Sequence, residues 1–284
     1  MKRKGAKNMK KLVAGILTAS LALSLAACGS DDKASSGDSK ETKLVVGASN
    51  TPHAVILEKA KPILEKEGVD LKIEKYQDYV LPNKDLDTGD LDANYFQHIP
   101  YLEQQIKDNG YDFVNAGGIH IEPIGIYSKK YKKLDQLPNG ATILISNSVS
   151  DQGRILTLLE AKGLITLKEG VDKASAEIKD IAKNPKKLKI DAKTAPEMLV
   201  QMYENKEGDA VVINSNFAID AGLTPTKDAI ALEDKDSPYV NVVAVKKENK
   251  DNAAVKKLVD VLHSKEIQDF INEEWKGSVV PVSK

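Results

Sequence analysis

From residue 44 onward, short apolar runs rich in β-branched residues alternate with amphipathic stretches of helix length. Leu44-Val45-Val46-Gly47 is followed by Pro52 to Glu67, then by Val69-Asp70-Leu71-Lys72-Ile73, then by Pro82 to Leu91. This is the βαβ rhythm of a parallel or mixed sheet. A second series repeats it, with strands predicted at Thr142 to Ser146, Leu188 to Ala192 and Asp209 to Asn214, and helices near Ser150 to Lys162 and Ala195 to Asn205. Two α/β lobes are implied. Ile119 to Tyr127 and Ile230 to Val245 are strand-like, and neither is followed at once by a strong helix, so they read as two crossings between the lobes. The expected organisation is residues 44–122 plus 240–284 as lobe 1 and 123–239 as lobe 2, with a ligand cleft between them.

The segment before this pattern has a different character. Met1 to Lys11 holds six Lys or Arg and no acid, and Leu12 to Ala27 runs sixteen residues without a charge. That apolar run is shorter than the roughly 20 residues of a spanning helix, and it ends in small residues, which predicts a cleavable export signal over 1–27. Its end, Leu25-Ala26-Ala27-Cys28-Gly29, resembles a bacterial lipobox, in which the Cys sulfur takes a diacylglycerol. Cys28 is the only cysteine. Once it is lipidated, no thiol remains for disulfides, thiolate metal sites or cysteine nucleophiles. Two or more acyl chains hold a protein at a membrane where one does not, so the expected location is the extracytoplasmic face of the cell membrane. Gly29 to Lys43 has no aromatic or large aliphatic residue, which makes residues 28–43 an expected lipid-anchored flexible tether.

Without the six basic residues of the leader, 35 basic residues face 42 acidic ones, a net charge of −7. No basic patch interleaved with aromatics follows the tether, so the electrostatic footprint of a nucleic-acid partner is missing. Enzyme signatures are missing too: there is no G-x-S-x-G elbow, phosphate loop, G-x-G-x-x-G turn or H-E-x-x-H helix. No cofactor is implied. The four histidines, His53, His98, His120 and His263, are too scattered for a local metal motif, but His53, His98 and His120 all fall in lobe 1. A site assembled from those three and a carboxylate is the alternative reading, a His-based metal-binding lipoprotein of an importer.

Two stretches stand out as binding candidates. Ser146 to Arg154 (SNSVSDQGR) leads from a strand into Ile155-Leu156-Thr157-Leu158-Leu159, and Ser148 with Asp151 has the spacing of a capping box. Arg154 then lies near the positive end of a helix dipole, where a cation calls for a compensating anion. A solvated surface Arg satisfies the same pattern. Asp92 to Tyr101 (DANYFQHIPY) is dense in rings for a chain that is 5% aromatic, which suits either a pocket wall or a packed corner, and Tyr79 invites the same pair of readings. Trp275 reads as a packing residue.

The blocks YQDYVLPN, DANYFQHIPYLE, YSKKYKKLDQLP, NPKKLKI, AVVIN, GLTPTKDAI and EDKDSPYVNVV, in this order, resemble the NlpA-type methionine-binding lipoproteins over almost the whole chain after the leader. The resemblance implies an α/β, two-lobed periplasmic-binding-protein fold, type II-like, and delivery of methionine or a methionine-like ligand to the permease and ATPase of an ABC importer. No chemistry of its own is implied. It further implies that Tyr79, Phe96, His98 and Tyr101 surround the thioether, that Arg154 holds the α-carboxylate, and that Asn214 and Asn241 make polar contacts to the backbone end of the ligand. One block departs from the pattern. The family commonly reads P-N-D-P-T-N-x-G-R where this chain has Ser146 to Arg154, so Asp151 replaces an Asn. An acid there suits pairing with a ligand ammonium, competition for Arg154, or a preference for a methionine derivative or a Met-containing dipeptide.

Overall fold

The computed structural model describes residues 41–283. The leader, Cys28 and most of the tether lie outside the described residues. The first run of elements is β1 (Thr42–Ser49), α1 (Val55–Lys66), β2 (Val69–Tyr76), α2 (Leu81–Thr88), β3 (Ala93–His98), α3 (Ile99–Asn109) and β4 (Phe113–Ile121). The middle of the chain forms β5 (Gly125–Tyr127), β6 (Thr142–Ser146), α4 (Val149–Ala161), β7 (Thr166–Leu167), β8 (Ile181–Lys183), β9 (Lys189–Thr194), α5 (Leu199–Glu204), β10 (Ala210–Ile213), α6 (Ser215–Asp220), α7 (Pro225–Asp228) and β11 (Ala231–Leu232). The last run is β12 (Val240–Lys246), α8 (Ala253–Leu262), α9 (Lys265–Trp275) and β13 (Val280–Pro281).

The strands form two main sheets. One has the order β13-β4-β12-β3-β1-β2 and the other β11-β5-β10-β6-β9. Within the first, β1 pairs in parallel with both β2 and β3, and β12 runs antiparallel between β3 and β4. Residues 241–245 of β12 are buried in succession, as expected for a central strand covered on both faces, and the run Val240-Asn241-Val242-Val243-Ala244-Val245 is correspondingly almost all apolar. One core packs α1, α8 and α9 on this sheet through Leu44, Val46, Ile56, Leu57, Leu258, Ile271 and Trp275. A separate core joins α4 to the second sheet through Ile126, Ile143, Ile145, Ile155, Leu159 and Val212. Among the described residues, no helix is long and apolar enough to cross a membrane.

The chain passes between the sheets twice, through residues 122–124 and residues 233–239. Several boundaries differ from the pattern-based reading. The first strand begins at Thr42, inside the expected tether, because Thr42 and Lys43 continue the parallel ladder opposite Val69 and Asp70. Composition alone could not register that pairing. The expected helix from Pro52 begins as an irregular turn over Asn50–Ala54, and regular helix starts at Val55. The aromatic cluster contains a whole strand, β3, buried at all six positions.

Candidate functional site

The end of β3 and the loop before α2 form an aromatic wall. Asp78 Oδ1 accepts the amides of Val80 and Leu81, at 2.7 and 2.8 Å, which closes the turn that presents Tyr79. Behind it, α2 is tied to β3 by a buried amide network. Asn94 Nδ2 donates to Asn83 Oδ1 at 2.9 Å, and Gln97 Nε2 donates to Asn83 Oδ1 and to Asn94 Oδ1, both at 2.8 Å. A fully satisfied network of this kind fixes one arrangement, here the placement of Phe96 and His98 at the strand end. His98 also caps α3, its Nδ1 accepting the Tyr101 amide at 3.1 Å. The Tyr101 hydroxyl donates to the Tyr79 carbonyl at 2.9 Å. Ring centroids of Tyr79, Phe96 and Tyr101 lie 5.9 to 6.2 Å apart, within the range of favourable aromatic contact.

The polar end comes from α4, β10 and β12. Ser148 is the N-cap residue of α4, but the expected capping box does not form: its hydroxyl lies 3.1 Å from that of Ser150, and its side chain makes no cap hydrogen bond. The Asp151 side chain is free of that duty and faces Asn214 and His98. Arg154, one turn on, is only 4% exposed, so the surface-Arg reading fails. Its compensating anion is part of the protein. Nε lies 3.1 and 3.2 Å from the Glu233 carboxylate oxygens, Nη2 also pairs with Glu233, and Nη2 donates to the Glu122 carbonyl at 2.7 Å. The guanidinium carbon sits 4.5 Å from the Tyr239 ring centroid, a cation–π contact. Burial alone would lower the Arg154 pKa, but Glu233 outweighs it and the shift is upward.

Tyr79, Phe96, His98, Tyr101, Arg154, Asn214 and Asn241 all line one cleft of about 410 Å3, solvent at its mouth included. It has aromatic rings at one end and charged and amide groups at the other, and the two sheets contribute to opposite sides. Residues 44–283 match the family described as NlpA lipoprotein. The chain belongs to this family. It is 52% identical over 97% of its length to the methionine-binding lipoprotein MetQ of Bacillus subtilis, all of which is covered. A crystal structure of a pheromone cOB1 precursor/lipoprotein of the YaeC family from Enterococcus faecalis superposes with a TM-score of 0.83 at 60% identity, covering 85% of this chain and all of that one. The structure of a nutrient-binding protein from Burkholderia cenocepacia, bound to methionine, gives 0.79 at 46% identity over 84% of this chain and 99% of the other. This NlpA lipoprotein therefore has the two-lobed periplasmic-binding-protein fold with two crossovers and a cleft between the lobes.

Glu122, Ser215 and Asn216 also line the cleft though the sequence did not single them out, as do Gln97, read only within its aromatic stretch, and Ser148, read only as a helix cap. Glu122 is the most consequential. It is a lone acid in the apolar run IHIEPIGIY, a mismatch that marks a buried charge with a job. Its Oε1 lies 2.8 Å from His120 Nε2 and 3.2 Å from His53 Nε2. Among the described residues, His53, His120 and Glu122 are the one group with metal-ligand proximity. His98, the third histidine of the metal alternative, stands apart, with its Nδ1 on the Tyr101 amide. Ordinary hydrogen bonding accounts for the group. An ionised carboxylate only accepts, so His120 Nε2 carries the hydrogen facing Glu122 and Nδ1 is left to accept from the Tyr95 hydroxyl, while His53 Nε2 is shared between Glu122 and Asn241 Oδ1 at 3.0 Å. Burial lowers the pKa of His53 to about 4 and of His120 to about 3, and raises that of Glu122. Both rings are neutral near pH 7, and through His53 they hold Asn241 in the cleft wall.

Proposed function

We propose that this NlpA lipoprotein captures methionine, or a ligand closely like it, between its lobes and passes it unchanged to the permease and ATPase of an ABC importer. Residues 44–122 with 240–284 form one lobe and 123–239 the other, and Cys28 carries the lipid that keeps the protein on the extracytoplasmic face of the membrane. The thioether lies among Tyr79, Phe96, His98 and Tyr101, where soft sulfur meets ring edges. Arg154 spends Nε and Nη2 on Glu233 and the Glu122 carbonyl, which leaves Nη1 for the ligand carboxylate. Asn214 and Asn241 serve the backbone end.

The observation that carries this reading is the convergence of seven residues, scattered from position 79 to position 241, on a single cleft lined by both aromatic rings and charged and amide groups. Relatives named for methionine binding, and one solved with methionine bound, support the choice of ligand. The test is titration calorimetry of the purified full chain in detergent, after partial unfolding and refolding to strip retained ligand. Saturable 1:1 heat with L-methionine is expected, and native mass spectrometry before stripping should find the same ligand bound. Absence of heat with L-methionine and with Met-containing dipeptides would overturn the reading.

A further inference from the structure

One acceptor in the cleft lacks a donor, and the carboxylate beside it is held only by long or single contacts. Asn214 is 6% exposed, and its Oδ1 has no hydrogen-bond partner. Its Nδ2 faces Asp151, 3.4 Å from each carboxylate oxygen, at the long limit of a hydrogen bond. Turning the amide over would set Oδ1 against a carboxylate, so the orientation is fixed by charge. Asp151 is itself 2% exposed, and besides the long contacts from Asn214 it is approached by His98, with Nε2 at 3.7 Å, and by the Ser146 hydroxyl. Because His98 Nδ1 accepts the Tyr101 amide, Nε2 carries the hydrogen and points at Asp151 without reaching it. Arg154 is paired with Glu233 through Nε and Nη2 and acts on Asp151 through its charge.

A buried carboxylate with accepting capacity to spare, beside a buried amide oxygen that has no donor, forms a seat for a compact cation with several N–H groups. A ligand carboxylate placed there would meet a like charge with no shielding between them. Building on the proposed capture of a methionine-like amino acid, we propose that Asp151 and Asn214 Oδ1 hold the ligand's α-ammonium, and that Asp151 makes this pocket select for a free primary amine. Asp151 is held below the usual carboxylate range: burial pushes the other way, but His98 and Arg154 outweigh it. The seat therefore keeps its negative charge. The Asp at a position where the family pattern has Asn becomes a specificity-determining residue, and the amine, more than the carboxylate, is the group the pocket reads.

The test compares L-methionine with two probes, L-methioninamide, which keeps the amine, and 4-(methylthio)butanoate, which lacks it, by calorimetry on the full chain and on Asp151→Asn. In the wild-type protein, loss of the amine should cost about 100-fold or more, and replacement of the carboxylate by an amide about tenfold or less. Asp151→Asn should bind L-methionine about tenfold or more weakly while leaving 4-(methylthio)butanoate equal or tighter, so the gap between them shrinks. Should that variant not fold, as judged by thermal melting, Asn214→Ala reads the same gap, which should narrow severalfold. An unchanged gap in a folded variant, or tighter L-methionine binding to Asp151→Asn, overturns this inference alone. No binding of L-methionine to the wild-type protein overturns the functional reading and this inference with it.

Discussion

Arg154 lines the cleft and pairs with Glu233 in the frame behind it, and its proposed hold on the ligand can be separated from that structural duty. Removing the side chain leaves the Glu233 carboxylate, 14% exposed, without its partner. Breaking a buried pair this way costs about 3 to 5 kcal/mol, or roughly 6 to 20 °C in the melting midpoint for a protein of this size. Arg154→Ala should therefore melt early and also bind L-methionine about 30-fold or more weakly, since a buried ligand carboxylate loses its charge partner. Glu233→Gln keeps the shape and removes only the anion, so it should destabilise the protein yet hold affinity within about threefold. Parallel melting and calorimetry on the two variants decide the matter: equal losses of affinity would reduce Arg154 to a purely structural role. That a cation near the start of a helix calls for an anion was legible in the sequence, beside the rival reading of a solvated surface Arg. Which anion was not, because Glu233 lies 79 positions away and reaches Arg154 only through the fold.

At the scale of the element, α4 owes its position to a glycine. A Cβ on Gly153 would stand 2.4 Å from the Ala174 carbonyl oxygen and 2.7 Å from that of Lys173. Ala is intrinsically the better helix residue by about 1 kcal/mol, but the contact is with backbone, which cannot swing aside, so overpacking at about 1 to 3 kcal/mol prevails. Gly153→Ala should lower the melting midpoint by a few degrees and weaken methionine binding, because Asp151 and Arg154 ride on the displaced turn. A variant as stable and as tight as the wild-type protein would show that α4 has room to spare. Legibility followed the same physics. The strands with long apolar runs, such as Thr142 to Ser146, could be read directly, whereas the stretch Ile119 to Tyr127 read as one strand-like crossing and proves to be two strands parted at residues 122–124. The strand β3 could not, because Asn94 and Gln97 satisfy each other and Asn83 inside the sheet, which erases the polar-out alternation that marks a strand. The capping box of α4 misled for a related reason: Asp151 has the right spacing for a cap, but its side chain faces Asn214 and His98.

At the scale of the whole molecule, the lobes touch across the cleft. The Tyr79 hydroxyl donates to Asn216 Oδ1 at 2.6 Å, and the Asn50 and Thr51 side chains donate to Asp220, both at 3.3 Å. These contacts join residues of the first sheet's side to α6 on the other, and they hold the closed arrangement. Affinity is thereby coupled to the angle between the lobes. Small-angle scattering should record a smaller radius of gyration on addition of L-methionine, and Tyr79→Phe, which lacks the donor to Asn216, should compact less completely. Calorimetric binding with no change in radius would mean a preformed pocket. Two lobes were legible from the repeated alternation of strand and helix, whereas their contacts depend on side chains whose partners lie far along the chain. The strand β12 has a further consequence, for the order in which the protein assembles. Among the described residues it alone bridges β3 and β4, and Asn241 sits opposite His98, 143 positions earlier. Until nearly the whole chain has been made, the first sheet therefore presents raw edges at β3 and β4, while all five strands of the second sheet are already available to pair. An unpaired edge invites pairing with other chains, so the newborn protein passes through an interval in which its middle segment is ready and its first segment must wait for the last.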